Sequence, residues 1–335
     1  MTLLPPLKNR RAIIVVALLL LLPVLKFTSF IRIAPGSGKT SVICNFKGGF
    51  TLRKIAEELA DRKVITSPTL FTLYARLRGE DGRIKAGYYQ FTDGMTPRDI
   101  LRKLVNGEVY QRPFVLPEGY SVYQAAELLE QQGILNGQRF LARCTDRDLL
   151  RRLGIQEKSM EGYLFPGTYN VEPDMDEENL VRVMAEEFTK RRRAKYEARL
   201  HNEGKNWHEI LTLASMIEKE AVVPAERPVI ASVFYNRLRK GMRLQSDPTA
   251  VYGVRAFSGK VTKADILRPS PYNTYLVDGL PPGPIGNPGD SAIESALAPA
   301  RTPYLYFVAK QDGSHHFSTT LDEHNRAVQT YLRTP

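Results

Sequence analysis

The segment that most constrains the fold is an apolar helix that ends in two glutamates. From Ile210 to Ala221 the apolar residues recur at helical spacing and form one stripe, so this helix is predicted to be buried. Glu218 and Glu220 flank the stripe on opposite sides, and residues two apart do not share a helix face. A carboxyl among apolar neighbours holds its proton near neutral pH, as acid catalysis of glycosidic cleavage requires. Periodicity leaves open which glutamate faces inward, and whether both are solvated residues beside a core helix.

A second apolar segment lies near the N-terminus. Residues 12–31 are mostly apolar, and a helix of this length spans a hydrocarbon core of about 30 Å. The apolar run would also fit a secretory signal peptide, but no cleavage site of small residues follows it. We therefore predict an uncleaved transmembrane anchor. Because Lys8, Arg10 and Arg11 precede the span, residues 1–11 are predicted to be cytoplasmic and the bulk of the chain to be exported.

The charge distribution argues against a nucleic-acid partner. The net charge is +11, of which the first 32 residues contribute +5 because they contain no acid. The remaining +6 is modest for the rest of the chain. The basic run Lys190–Lys195 is predicted to be the solvated side of a helix.

The cysteines and histidines predict neither a metal site nor a cofactor. Cys44 and Cys144 are the only cysteines, and they could pair in an oxidising compartment. Two cysteines a hundred residues apart form no recognisable disulfide framework. The five histidines lack metal-binding spacing.

The segments between these landmarks predict an α+β fold class. Residues 41–145 are predicted to form a small α+β region, with strands at 86–91 and 109–116 and short amphipathic helices capped by Ser or Thr. Residues 146–335 are predicted to be mainly helical. In this part the predicted elements are helices at 207–221, 224–239 and 321–332, a β-hairpin at 304–309 and 316–318, and a rigid Pro/Gly-rich loop at 269–288 that could form a binding wall.

Several motifs in the same order resemble the endolytic murein transglycosylases, the YceG-like family. The motifs are Ser215-Met-Ile-Glu-Lys-Glu-Ala221, Val233-Phe-Tyr-Asn-Arg-Leu238, Leu244-Gln-Ser-Asp-Pro-Thr249, Tyr272-Asn-Thr-Tyr275, Gly279-Leu-Pro-Pro-Gly283 and Glu161-Gly-Tyr-Leu-Phe-Pro-Gly-Thr-Tyr169. The resemblance extends from the anchor nearly to the C-terminus. Gly167 departs from the acidic residue expected there, which weakens any catalytic role for that turn.

The resemblance implies a single-pass protein of the bacterial inner membrane with an exported LysM-like module and a catalytic domain. The implied reaction cuts the β-1,4 bond between N-acetylmuramic acid and N-acetylglucosamine within nascent peptidoglycan. It leaves 1,6-anhydro ends and limits strand length. Glu218 matches the catalytic acid of the family. The implied partners are glycan strands and the inner membrane, with peptidoglycan synthases (penicillin-binding proteins) as candidates.

The polar residues around the second half of the chain are candidates for holding the sugar. They are Gln245, Ser246, Asp247, Tyr252, Asn273, Tyr275 and Glu220. Two alternatives stay open. A hydrolytic muramidase would need Asp247 or Glu220 as a second carboxylate. A non-catalytic cell-wall-binding scaffold would use the LysM-like region and the loop only to hold glycan.

Overall fold

A computed structural model describes residues 7–256 and 260–332 of the chain. The chain folds as two compact units, Met1–Arg112 and Pro113–Pro335. The segment boundaries predicted from the sequence (1–11, 12–31, 41–145 and 146–335) remain predictions. Helices and small two-stranded sheets make up both units, so the α+β fold class is confirmed.

The first unit contains two paired strands, and two helices lie between them in the chain. Its elements are α1 (Leu7–Arg32), β1 (Ser41–Phe46), α2 (Leu52–Asp61), α3 (Pro68–Leu77), β2 (Gly87–Thr92) and α4 (Pro97–Asn106). β1 and β2 are antiparallel, and their register runs from Ser41 opposite Thr92 to Phe46 opposite Gly87. Helix α2 begins where the Thr51 side chain accepts a hydrogen bond from the Lys54 backbone, as its capping pattern predicts.

Two strand assignments in this region differ from the prediction. β1 was not predicted, because Ile43 points to the exposed side and blurs the alternation that Cys44 and Phe46 follow. The predicted strand at 109–116 begins only at Arg112, as β3 (Arg112–Leu116). It pairs with a later strand of the second unit and not with β2.

Helix α1 covers the segment that was predicted as an anchor. It contains Pro23, and near its end Phe30 packs into the core of the first unit. Across residues 7–256 and 260–332, no helix meets the combined requirements of length and apolar character for crossing a membrane. The anchor therefore remains a prediction.

The second unit contains β3 and the remaining elements. In chain order these are α5 (Val122–Gln131), α6 (Gly137–Cys144), α7 (Arg147–Arg152), β4 (Gly167–Val171), α8 (Glu177–Phe188), α9 (Ala194–Asn202), α10 (Trp207–Glu220), α11 (Arg227–Arg239), α12 (Asp247–Val251), α13 (Lys263–Leu267), α14 (Asp290–Leu297), β5 (Tyr306–Ala309), β6 (His315–Ser318) and α15 (Leu321–Leu332). The predicted helices, the C-terminal helix and the β-hairpin are all confirmed, with small shifts at their ends.

Helix α10 is the centre of the second unit. All residues from Ile210 to Ile217 are buried, and they pack against α11 and α14. Asn206 caps the helix by accepting a hydrogen bond from the His208 backbone at 2.7 Å. Burial of the apolar stripe is therefore confirmed, and it fixes the end of the helix that carries Glu218 and Glu220.

The structure corrects the prediction that the basic run at 190–195 is the solvated side of a helix. A π-helical turn, Thr189–Arg193, joins α8 to α9 and points Arg192 inward, so that only 1% of Arg192 is exposed. Its guanidinium donates to Asp290 at 2.7 Å and lies 4.7 Å above the ring of Phe165. The prediction of a solvated face is wrong for this one arginine, because periodicity in a regular helix cannot anticipate a π turn.

Replacing Arg192 by methionine should lower the stability of the chain by about 1–3 kcal/mol, because a charged hydrogen bond and a ring contact are lost. The exposed Lys190 in the same turn is the matched control. Lys190→Met should change stability by no more than about 0.5 kcal/mol. Urea unfolding of both variants measures the difference. Equal midpoints would show that the inward arginine contributes nothing to the fold.

Candidate active site

The C-terminal end of α10 meets three turns of the chain. These are the turn at 117–120, the turn at 161–164 and the Pro/Gly-rich loop at 284–289. Asn287 joins them, and its side chain is fully buried. Its Oδ1 accepts from the backbone of Gly162 and of Leu164, each at 3.0 Å. Its Nδ2 donates to the Tyr120 carbonyl at 2.8 Å.

Glycine is required where these turns approach the helix. Gly119 has φ +76°, and a Cβ there would lie 3.1 Å from the Cγ of Glu218. A Cβ on Gly286 would lie only 2.4 Å from the Gly119 carbonyl oxygen. A side chain at Gly119 would press on Glu218, and one at Gly286 would push the Pro/Gly-rich loop away from the turn at 117–120.

A buried carboxyl, Glu161, anchors the same junction. Its oxygens accept hydrogen bonds from the Val122 backbone at 3.0 and 3.1 Å, from the Tyr252 hydroxyl at 2.8 Å and from Asn287 Nδ2 at 3.2 Å. Burial raises the pKa of Glu161 to about 7, although these bonds and the charge of Lys219 oppose the shift. Glu161 fixes the start of α5 and the ring of Tyr252.

Glu218 lies on the side of the helix that faces the loop. Its side chain is 7% exposed and pairs with Arg227, whose Nη2 lies 2.5 Å from Oε1. The Gly289 backbone donates to its Oε2 at 2.9 Å. Glu118 lies nearby, and its pKa is raised by burial and by the charge of Glu218. Glu218 therefore joins α10 to α11 and to the start of α14.

Glu220 lies on the other flank, as helical spacing requires. Ser246 Oγ donates to its Oε1 at 2.6 Å, and Ser246 is positioned by Thr274, whose Oγ1 accepts from the Ser246 backbone at 2.9 Å. Burial raises the pKa of Glu220 to about 7, and the charge of Asp247 adds to the shift. Tyr275 donates to Asp247 at 2.6 Å. The structure thus brings together four of the predicted site residues.

Besides Glu218, three predicted residues do not join these side-chain contacts. Gln245 is exposed and has φ +50°, a backbone conformation that non-glycine residues seldom adopt. Asn273 is fully buried, and its amide donates to the carbonyls of Ile266 and Arg268, each at 2.9 Å, so it shapes the loop. Tyr252 bonds to Glu161 and lines a pocket together with Lys219.

Sequence reasoning missed Glu161, Asn287 and Arg227. The acidic Glu161 in an otherwise apolar and aromatic segment was the available signal for one of them. Asn287 is one polar residue in a Pro/Gly-rich loop, and its pairing over 126 residues in sequence leaves no local pattern.

The described residues contain no cluster of three His, Cys, Asp or Glu side chains with the arrangement of a metal site. Cys44 and Cys144 are buried thiols. Burial raises the pKa of both, which disfavours thiolate chemistry at either position.

The sequence profile of the YceG-like family matches residues 45–330. The chain belongs to the YceG-like family. A relative from Bacillus subtilis (strain 168), named endolytic murein transglycosylase, is 36% identical over 310 residues, which cover 88% of this chain and 86% of the relative. A protein of the same name from Streptococcus pneumoniae serotype 2 is 30% identical over 328 residues. The alignment covers 88% of this chain but only 59% of the streptococcal protein.

A solved structure extends the likeness to the fold of this YceG-like chain. The 2.6 Å crystal structure of a yceG-like protein from Listeria monocytogenes matches with a TM-score of 0.60 and 35% sequence identity. The match covers 86% of this chain and 99% of the Listeria chain. The family resemblance seen in the motifs is confirmed.

Glu161 should make stability depend on pH. Because burial raises its pKa from 4.5 to about 7, the folded chain keeps a proton that the unfolded chain loses in this window. Its contribution is complete below pH 4.5 and is lost as the pH rises to about 7. The slope is up to about 1.4 kcal/mol per pH unit.

Denaturant unfolding between pH 4.5 and 7.5 measures this slope. Glu161→Gln should reduce the slope by about half, because Glu220, whose pKa burial also raises to about 7, still contributes. The exposed Glu127 is the control, and Glu127→Gln should leave the slope unchanged. The full wild-type slope in Glu161→Gln would contradict the assignment.

Proposed function

We propose that this protein is an endolytic lytic transglycosylase of nascent peptidoglycan. It cuts the β-1,4 bond between N-acetylmuramic acid and N-acetylglucosamine, forms 1,6-anhydro ends and limits glycan strand length. The observation that carries the proposal is a pair of glutamates at the end of one buried helix, each held in its own environment. Family membership and the names of the relatives support the substrate.

The reaction needs one carboxyl group. In the first step the carboxylic acid donates its proton to the glycosidic oxygen, and the bond from that oxygen to the anomeric carbon of the muramoyl residue breaks. The 6-hydroxyl of the same muramoyl residue then attacks the anomeric carbon, and the carboxylate takes the hydroxyl proton. Acid and base are one residue, and no water is consumed. A hydrolase instead needs a second carboxylate.

Two glutamates compete for this role. The motif resemblance assigns it to Glu218, which is engaged by Arg227 and by the Gly289 backbone. The environment of Glu220 makes it the second candidate. Its raised pKa, about 7, leaves a large protonated fraction at neutral pH. Ser246 is its one hydrogen-bond partner among the described side chains. We propose Glu218 as the proton donor, as the matched motif assigns it, and Glu220 as the residue that holds the turn at Ser246 in place.

Paired variants separate the two assignments. Glu218→Gln should lower the rate by about 10²–10⁴-fold, because general acid–base catalysis is lost. Glu220→Gln should retain more activity at an equal melting temperature.

The control for both variants is Glu209→Gln, an exposed glutamate of the same helix, which should cleave at the wild-type rate. Cleavage is followed by release of short glycans from nascent strands. Full activity of Glu218→Gln together with loss in Glu220→Gln would give the role to Glu220 instead.

The hydrolytic alternative rests on Asp247. The charge of Asp247 acts on Glu220, so a muramidase could use it to activate water. The Tyr275 hydroxyl occupies one oxygen of Asp247 at 2.6 Å, which favours a role in shaping the loop.

We extend the proposal to the location of the protein. Residues 12–31 would anchor it in the inner membrane with its N-terminus in the cytoplasm and its bulk in the periplasm. The strand–helix–helix–strand order of β1, α2, α3 and β2 supports a LysM-like module. Because Phe30 packs into the core of the first unit, this module would begin at the end of the anchor, beside newly made strands that are still attached to their lipid carriers.

The length of glycan strands in cells tests whether the anchor directs cleavage. Loss of the protein should lengthen glycan strands, and the intact chain should restore them. An exported form without residues 1–32, at matched abundance, should restore length poorly because it is not held at the membrane. Equal restoration by the anchorless form would show that membrane proximity does not direct cleavage.

A further inference from the structure

A small pocket opens beside Lys219, on the face of α10 between the two glutamates. It has a volume of about 200 Å³ and lies between α5 and residues 248–256. Its lining includes Tyr123, Gln124, Lys219 and Tyr252. This volume is below the ~300–1,000 Å³ of sites for drug-sized ligands. It therefore suits part of a longer substrate, such as one face of a sugar ring and the group attached to it, with the remainder outside the opening.

The wall of the pocket is aromatic and fixed. The ring of Tyr252 lies 4.5 Å from that of Tyr272 and 5.8 Å from that of Tyr123. The hydroxyl of Tyr252 is held by the buried Glu161 at 2.8 Å. Because its ring cannot turn without breaking that bond, it presents a constant apolar surface next to a polar opening. Such a surface fits the C–H face of a pyranose ring.

The ammonium group of Lys219 uses only part of its hydrogen-bonding capacity. Its ammonium group has three N–H donors, and one of them bonds to Gln124 Oε1 at 3.1 Å. Among the described residues, Gln124 is the only one that accepts a hydrogen bond from this group. Glu161 and Glu218 act on Lys219 through their charges without bonding to it. A half-buried ammonium with unused donors favours an anionic ligand.

The other charged groups of the lining have partners of their own. Arg255 pairs with Asp265 at 2.8 Å. Glu127, the one acidic residue in the lining, is exposed and accepts a hydrogen bond from Gln131 at 3.0 Å. Lys219 is therefore the cation of this pocket that keeps unused donors.

We propose that this pocket is a subsite for the muramoyl residue and its acidic stem peptide, with Lys219 receiving a peptide carboxylate and the tyrosines packing on the sugar. The inference rests on the proposed function, because it takes the substrate to be peptidoglycan. It adds a preference for glycan that still bears its peptides. Such glycan is newly made and has not been trimmed by an amidase.

The test uses binding, so that it does not depend on cleavage. The probe is the disaccharide in which N-acetylglucosamine is linked to N-acetylmuramic acid, prepared with its peptide and without it. This disaccharide contains no bond from N-acetylmuramic acid to a following sugar, so the enzyme has nothing to cut. Calorimetry on the intact protein gives both dissociation constants.

Wild type should bind the peptide-bearing disaccharide about 10-fold more tightly than the bare one, the effect of one hydrogen bond to a charged group. Lys219→Met should remove this preference, and Lys219→Arg should keep most of it. Lys240→Met, which removes an exposed charge elsewhere in the second unit, is the matched control and should keep all of it. Tyr123→Ala should weaken binding of both disaccharides equally, because that ring packs on the sugar.

Three outcomes would overturn the proposal. Wild type could bind the two disaccharides equally, Lys219→Met could weaken both by the same factor, or neither disaccharide could bind at millimolar concentration. Cleavage of long strands is measured separately. Cleavage without a peptide preference rejects this subsite alone, whereas a peptide preference without cleavage rejects the proposed activity.

Discussion

The hydrogen bond between the buried Glu161 and Asn287 is the contact on which the candidate site depends. Through it, the start of α5, the turn at 161–164 and the Pro/Gly-rich loop are fixed to one another. The loop in turn delivers the Gly289 backbone to Glu218. A buried carboxyl is costly unless its bonds are made, and here several donors make them. Together the side chains of Glu161 and Asn287 hold the backbone at Val122, at Gly162 and Leu164, and at Tyr120.

The two glutamates of α10 illustrate how neighbours in sequence acquire different chemistry. Glu218 pairs with Arg227 and accepts a hydrogen bond from the Gly289 backbone. Glu220 accepts a hydrogen bond from Ser246, and burial raises its pKa. Helical geometry separates them by about 200°, so each takes the properties of its own side of the unit. Lys219 lies between them and opens onto the pocket that we assign to the muramoyl peptide.

Local patterns predicted what depends on local physics. Each of three features is formed by residues that are close together in the sequence, and each was predicted. They are the apolar stripe of α10, the cap at Thr51 and the turn of the β5–β6 hairpin. The pattern could place Glu218 and Glu220 on two flanks but could not choose between them, because the choice depends on Arg227 and Ser246. The burial of Arg192 and the role of Asn287 arise from partners about 100 residues or more away. No periodicity encodes such partners.

The account stands on one carboxyl that acts as both acid and base, with the sugar's own 6-hydroxyl as the nucleophile. Mass spectrometry of glycan strands cut by the purified protein tests this most directly, because an anhydro end lacks one water relative to a reducing end. The account predicts that every new muramoyl end is of the anhydro form. Reducing ends from the wild-type protein would contradict it, because they require water and a second carboxylate such as Asp247.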